Sequence, residues 1–360
     1  MPAGSDERRR ARRPPSPALR AIAGVVALAM LAGAIAVGFL SLYREFWGPS
    51  AFAERYVRAI ADADAQAALA IPGVAPEFSA LEDIGRGYAS DALLRADALA
   101  STITDVHAVA EAPLPTDEGE VTVVTVAYTI DGVRDEMVFR VERAGMSGLV
   151  PAWRFETSPL SVLDVTVRGS WQFAVNGFEI DKRQIAPEGV EADPLAPVTM
   201  LTFSPGNYAI AVDTAATQAD PRTVRSASLL DRVAIDIQTT PTDELTQVVE
   251  DSVADFLETT CTTQAVLQPQ DCPFSYDASW GIAQPDISWT ILDYPRTALV
   301  PDGDDWRVSP TSGRAHVTLT VQDYFTGALV PVDEDVYFTM VAEVDVGDDG
   351  SVHITIDRAT

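Results

Sequence analysis

The chain has 360 residues, a formal net charge of −28 and almost half hydrophobic residues. That length accommodates two or three domains, each large enough to bury a core. So acidic a chain repels nucleic acid, anionic lipid head groups and anionic wall polymers, and a nucleic-acid partner is excluded.

The charge is not spread evenly. Residues 1–20 form a basic arm carrying Arg8, Arg9, Arg10, Arg12, Arg13 and Arg20, opposed only by Asp6 and Glu7. Its Arg/Pro/Ser/Ala composition predicts a disordered segment. An apolar run without a charge fills residues 21–43. About 20 apolar residues cross a bilayer as one helix. The run is longer than the ~7–15 residues of a secretory signal core, and no cysteine follows it to take a lipid, so an uncleaved signal anchor is expected, with cleavage after a small residue near Ala32–Ala36 as the alternative. The arginines lie only on its N-terminal side. They place the N-terminus in the cytoplasm and everything beyond Arg44 outside the cell membrane, with residues 21–43 as the membrane contact. Tyr43, Phe46 and Trp47 suit the interface beyond it.

Residues 50–160 read as an α+β unit. A helix is predicted over 51–69, with Phe52, Tyr56, Val57, Ile60 and Ala63 on one face and Pro72-Gly73 as its stop. Shorter helical pieces follow at 77–84 and 91–99. Strands are predicted at 120–130 and 134–141 around an Asp131-Gly132 hairpin turn, and at 153–157. Residues 161–239 alternate as strands broken by Gly, Pro and Asp, the pattern of a small sandwich or barrel. Residues 240–360 return to α+β. Thr240 is expected to cap a helix with Pro241 at its first position and Asp243 three residues on. Leu245, Val248, Val249, Val253, Phe256 and Leu257 form its apolar face. Strands close the chain at 316–324, 335–344 and 352–358. Val57 to Val121 and Val253 to Val317 are both 64 residues apart. This spacing reads as an internal duplication of a helix and meander, or as chance recurrence of a common α+β plan.

Some segments resemble known families. A membrane-proximal helix with Tyr56, followed by a meander ending in Trp153-Arg154, resembles the NTF2-like cone fold. Asn176-Gly177 and then Pro205-Gly206-Asn207-Tyr208 resemble the extracellular β-domains of TcaA-type envelope proteins of Gram-positive bacteria. The likeness covers about residues 51–215. It implies an NTF2-like cone followed by a small all-β domain; with the apolar run and the recurring helix-and-meander spacing, the expected architecture is α+β: one transmembrane helix, an NTF2-like cone, a small all-β domain and a second NTF2-like or α+β domain. The likeness also implies that the tyrosine after the Pro-Gly turn packs inward. The cytoplasmic zinc ribbon common in that group is missing, because the arm has no cysteine. The NTF2-like domain of some penicillin-binding proteins is similar as well. Their Ser-x-x-Lys motif is not present: Glu179 stands three residues before Lys182, the chain's sole lysine. That use of arginine over lysine, with abundant alanine, resembles an actinobacterial composition. In a cone, Tyr56, Tyr88, Phe139 and Trp153 would line a pocket between helix and sheet or fill a core.

Chemistry is sparsely encoded. Cys261 and Cys272 are the chain's two cysteines, and outside the cytosol such a pair reads as a disulfide. His107, His316 and His353 match no zinc spacing, and no nucleophile elbow or phosphate loop is present. No cofactor or metal is expected. Two acidic turns, Asp302, Asp304 and Asp305, then Asp345, Asp348 and Asp349, carry the carboxylates hard cations use, but lack a bidentate Glu and read as solvated turns. The expected function is non-catalytic: a membrane-anchored extracytoplasmic binding or scaffold protein of the bacterial envelope, with an envelope protein or wall component as partner. A small-molecule or lipid binding module using the cone pocket is one alternative. A hydrolase without a recognisable motif is another.

Overall fold

The structure is a computed structural model that describes Val26 and residues 28–35, 37–38, 46–116, 119–148, 150–347 and 351–358. The basic arm lies outside the described residues. Within the apolar run, Val26 and residues 28–35 and 37–38 are helical and exposed. Among the described residues no helix is long and apolar enough to cross a membrane.

The fold is mixed α+β and strand-rich, with several sheets. The first helix beyond the apolar run, Pro49–Ala61, opens with proline, whose missing N–H costs nothing in a first turn. It buries Phe52, Ala53, Tyr56, Val57, Ala59 and Ile60 along one face. The predicted helix over 51–69 is two. The chain turns at Ala63, whose φ is 54°. Asp64 then caps a second helix, Ala65–Leu69, by accepting from the Ala67 N–H at 2.9 Å. A short helix, Phe78–Asp83, follows, and the helical piece expected over 91–99 is only a 3-10 turn, Ala96–Ala98.

Four antiparallel strands come next in sheet order: β1 (Ile103–Thr116), β2 (Gly119–Ile130), β3 (Val133–Ser147) and β4 (Val150–Phe155). β1 was not among the predicted strands. It lies at the sheet edge, where Pro113 and Pro115 are tolerated, and exposes most of its residues. The first helix packs on this meander through a cluster of rings, with Tyr56 5.9 Å from Phe139 and 5.3 Å from Phe155 between centroids.

A three-stranded sheet then serves as a partition. Its order is β11 (Arg232–Gln238), β5 (Leu160–Arg168), β8 (Val198–Phe203), with β11 parallel to β5. β5 and β8 are buried almost throughout, because both faces are covered. Leu160, Val162, Leu201 and Phe203 join the core of the first helix and its meander. Leu163, Val165, Val167, Val198 and Met200 face the other way, into a core shared with Phe173, Ile180, Tyr208 and Ile210. Those residues belong to a second sheet, β12 (Thr240–Pro241), β10 (Thr217–Ser226), β9 (Gly206–Asp213), β6 (Gln172–Val175) and β7 (Phe178–Asp181). Tyr208 is buried, its hydroxyl donating to the Phe203 carbonyl at 2.8 Å. A polar seam also crosses the partition. Asp164, 3% exposed, accepts from Arg86 at 2.9 Å and from Thr199 at 2.7 Å, and pairs with Arg232.

The last unit repeats the plan of the first. Thr240-Pro241 is strand β12, not a helix start. Thr242 is the cap, accepting from the Leu245 N–H at 3.1 Å, and the helix is Asp243–Asp255. It runs on as a π-helical segment, Phe256–Cys261. Around β16 (Asp305–Asp323) pair three short strands, β13 (Gly281–Ala283), β14 (Ser288–Asp293) and β15 (Leu299–Asp302). β17 (Leu329–Val346) and β18 (Val352–Arg358) complete the sheet. Helix, β14, β16, β17, β18 is the antiparallel order of helix, β1, β2, β3, β4. Val57 and Val253 are both buried in the helices, and Val121 and Val317 in the matching strands. Gly313 in β16 faces Phe338 in β17, and a Cβ there would lie 2.4 Å from the ring.

Candidate binding cleft

The residues predicted to line a cone pocket do not share one. Tyr56 and Phe139 sit in the closed aromatic core, fully buried. Burial pushes the Tyr56 hydroxyl well above its ordinary pKa. Trp153 is half-buried at the margin, its Nε1 donating to the Trp47 carbonyl at 2.7 Å. Tyr88 is 50% exposed and belongs to a different hollow, beside Lys182 and Pro187.

A larger cleft, about 760 Å³, opens between the middle sheet and the last unit. One wall is built from the loop Gly169–Gln172, from Arg183 and from residues 213–217. The other holds Asp304, Asp305, Trp306, Asp345, Val346, Gly347 and His353. Strand pairing assembles the acidic wall. Trp306 in β16 is opposite Val344 in β17, and Asp345 is opposite His353 in β18. The two acidic turns, some forty positions apart in the chain, therefore meet at one end of the sheet. Asp348 and Asp349 lie outside the described residues. At the junction of the walls Gly169, at φ 79°, lets Trp306 approach: a Cβ would stand 3.1 Å from the indole Cζ2.

The two walls differ in charge. Burial pushes the Asp305 carboxyl up to about 6, with Asp304, Asp345 and Asp302 adding repulsion. Behind the opposite wall is Lys182. Its ammonium donates to the Val167 and Pro194 carbonyls at 2.8 and 2.6 Å and lies 5.2 Å from the Trp171 ring centroid. Burial pulls it down to about 8, against the pull of Asp304, Asp181 and Asp193. Arg183 stacks on the same indole at 5.2 Å. The cleft thus sets carboxylates opposite a cation-braced tryptophan, an arrangement that suits a ligand presenting a positive group to Asp304, Asp305 and Asp345. Among the described residues no group of three or more His, Cys, Asp or Glu side chains is placed to hold a metal ion.

Each acidic turn is visible in the sequence, whereas Trp171, Arg183 and Trp306 carry no local sign of a site. The lone lysine was the one cue on that wall. His107 lies on exposed β1, its Nδ1 2.7 Å from the Asp105 carbonyl. His316 lies between Asp333 and Asp335 at 3.1 and 2.8 Å, away from the cleft lining. Cys261 and Cys272 form a disulfide that closes the π-helical end of the last helix onto the following loop. Comparison with protein-family models, with curated proteins and with solved structures gives no match.

Proposed function

We propose that this chain is a membrane-anchored extracytoplasmic binding protein of the bacterial envelope. The arginine arm lies on the cytoplasmic side, the apolar run spans the bilayer, and the three packed units stand outside. The observation that carries the reading is the charge asymmetry around residues 21–43, with arginines before the run and a disulfide-bearing acidic body after it. In this reading the two α+β units are NTF2-like, and the cleft between the middle sheet and the last unit is the ligand seat. Clefts at domain boundaries are common seats for ligands.

Topology is tested by fusing alkaline phosphatase, active only outside the cytoplasm, after Thr360. Activity supports the reading, and an inactive fusion whose cytoplasmic counterpart reporter is active refutes it. The wall as partner is tested by co-sedimentation of the detergent-solubilised chain with isolated sacculi, with and without calcium. Saturable pelleting that Asp305→Asn weakens supports a wall ligand in the cleft. No pelleting in either condition removes the wall and leaves envelope proteins as the partner class.

A further inference from the structure

Around the start of the first helix a set of contacts joins two separate parts of the chain. Trp153 of β4 donates its indole N–H to the Trp47 carbonyl at 2.7 Å. Arg143 of β3 is paired with Trp153 in the sheet, and its guanidinium lies 5.7 Å from the ring centroid. Phe46 lies beside Trp47, the ring centroids 5.9 Å apart and the planes tilted by 58°, and Arg55 donates to the Phe46 carbonyl at 3.4 Å. Just beyond, Met146 is 63% exposed on the β3–β4 hairpin, while Phe46 and Trp47 are 54% and 44% exposed.

The chemistry of this patch is apolar and cationic. It combines two aromatic side chains, a methionine and two exposed arginines, Arg55 and Arg143, in a chain of net charge −28. The ion pairs of Arg140 and Arg154 on the same strands are made with Glu156 and Glu142. Arg55 and Arg143 are engaged instead with rings and a backbone carbonyl. Aromatic rings with arginine are the composition of a membrane interface, where the rings sit at head-group depth and guanidinium groups reach phosphate. Position agrees with composition. Trp47 follows the last residue of the apolar run, Tyr43, by four positions, a reach of at most ~14 Å.

The geometry points to a lipid-contacting collar. Phe46, Trp47, Arg55, Arg143 and Met146 rest on the phosphate layer of the bilayer in which the same chain is anchored, and so fix the tilt of the body above it. This inference rests on the anchored reading proposed above. The overall charge of the chain keeps the remaining surface off the membrane, so contact is confined to the collar.

The test uses the full chain carrying Met146→Cys, labelled with bimane. The native cysteines are disulfide-bonded, so the new thiol is the one that reacts. The protein is reconstituted in phosphatidylcholine vesicles containing phosphatidylglycerol, with and without lipid bearing a nitroxide on its head group. The expected result is strong quenching by the nitroxide lipid, lost when Arg55→Glu and Arg143→Glu are added. A chain that floats with the vesicles but shows no quenching overturns the collar and leaves the anchor. Quenching unchanged by the charge reversals overturns the arginine–phosphate contact. A chain that does not float with vesicles at all overturns the anchored reading on which the inference stands.

Discussion

Asp164 gives the sharpest test of how the units are held together. Its carboxylate is 3% exposed and is reached by Arg86, by Thr199 and by Arg232. Those three residues come from the loop before β1, from β8 and from the start of β11, so one side chain ties three segments across the partition. A hydrogen bond to a charged group contributes about 1.5–3 kcal/mol. Arg232 is 58% exposed, and its share is cut by solvent to well under about 1 kcal/mol. Arg86 at 15% exposed and buried Thr199 carry the rest. Burial of the carboxylate opposes these gains, so Asp164→Ala should cost about 3 kcal/mol, a fall of roughly 4–5 °C in Tm. Asp164→Asn, which keeps the shape, should cost about half of that.

The pH dependence supplies a second readout. Burial pushes the Asp164 carboxyl up, but hydrogen bonds from Arg86, Thr199 and Arg232 outweigh it and hold it below 3.8. A carboxyl depressed on folding stabilises fully above its unfolded value and loses that contribution as pH falls through the folded one. The gap between the wild-type chain and Asp164→Asn should be wide at neutral pH and close below about pH 3.8. Thermal unfolding in mild detergent, followed by tryptophan fluorescence, measures both. An Asp164→Ala change within about 0.5 kcal/mol of wild type would refute the seam as a structural tie.

Three further outcomes are expected. Replacing Cys261 and Cys272 by serine removes a link between positions 11 apart in the chain and should lower stability by about 2–3 kcal/mol, read as the shift between the variant and the oxidised wild type in the same melt. Gly313→Ala should cost roughly 1–3 kcal/mol, because the new methyl meets the Phe338 ring at 2.4 Å and that ring is held 5.5 Å from Phe274; a neutral effect would mean that the strands separate freely there. Asp305 is raised to about 6, so the folded state loses stability as pH climbs from 3.8 to that value and stays lower above it. Asp305→Asn should therefore stabilise at pH 7 by no more than about 1 kcal/mol after solvent screening, and not at all below pH 3.8, as a paired melt at the two pH values would show.

Much of this architecture is written locally. The first helix is legible from one apolar face and a proline start, the last from its buried spacing of four, and the disulfide from two cysteines in an acidic body. What escaped depends on distant partners. β1 bears two prolines and little burial, and it is a strand because β2 offers it a ladder. The continuous apolar runs of β5 and β8 do not reveal that one face of each serves the first helix and the other the middle sheet. The break at Ala63 hid inside an alanine-rich stretch whose helical pattern continues past it. The cleft was half legible. Each acidic turn stands out in the sequence, but their meeting is made by the β16–β17–β18 pairing, and the wall bearing Trp171 and Arg183 comes from another sheet.

The partition sheet also bears on inheritance. Since Leu160, Val162, Leu201 and Phe203 complete the core of the first helix, the first unit has no seam at which a gene could be cut and leave a self-sufficient piece. Recombination near codon 160 would deliver a helix and four strands with an open floor.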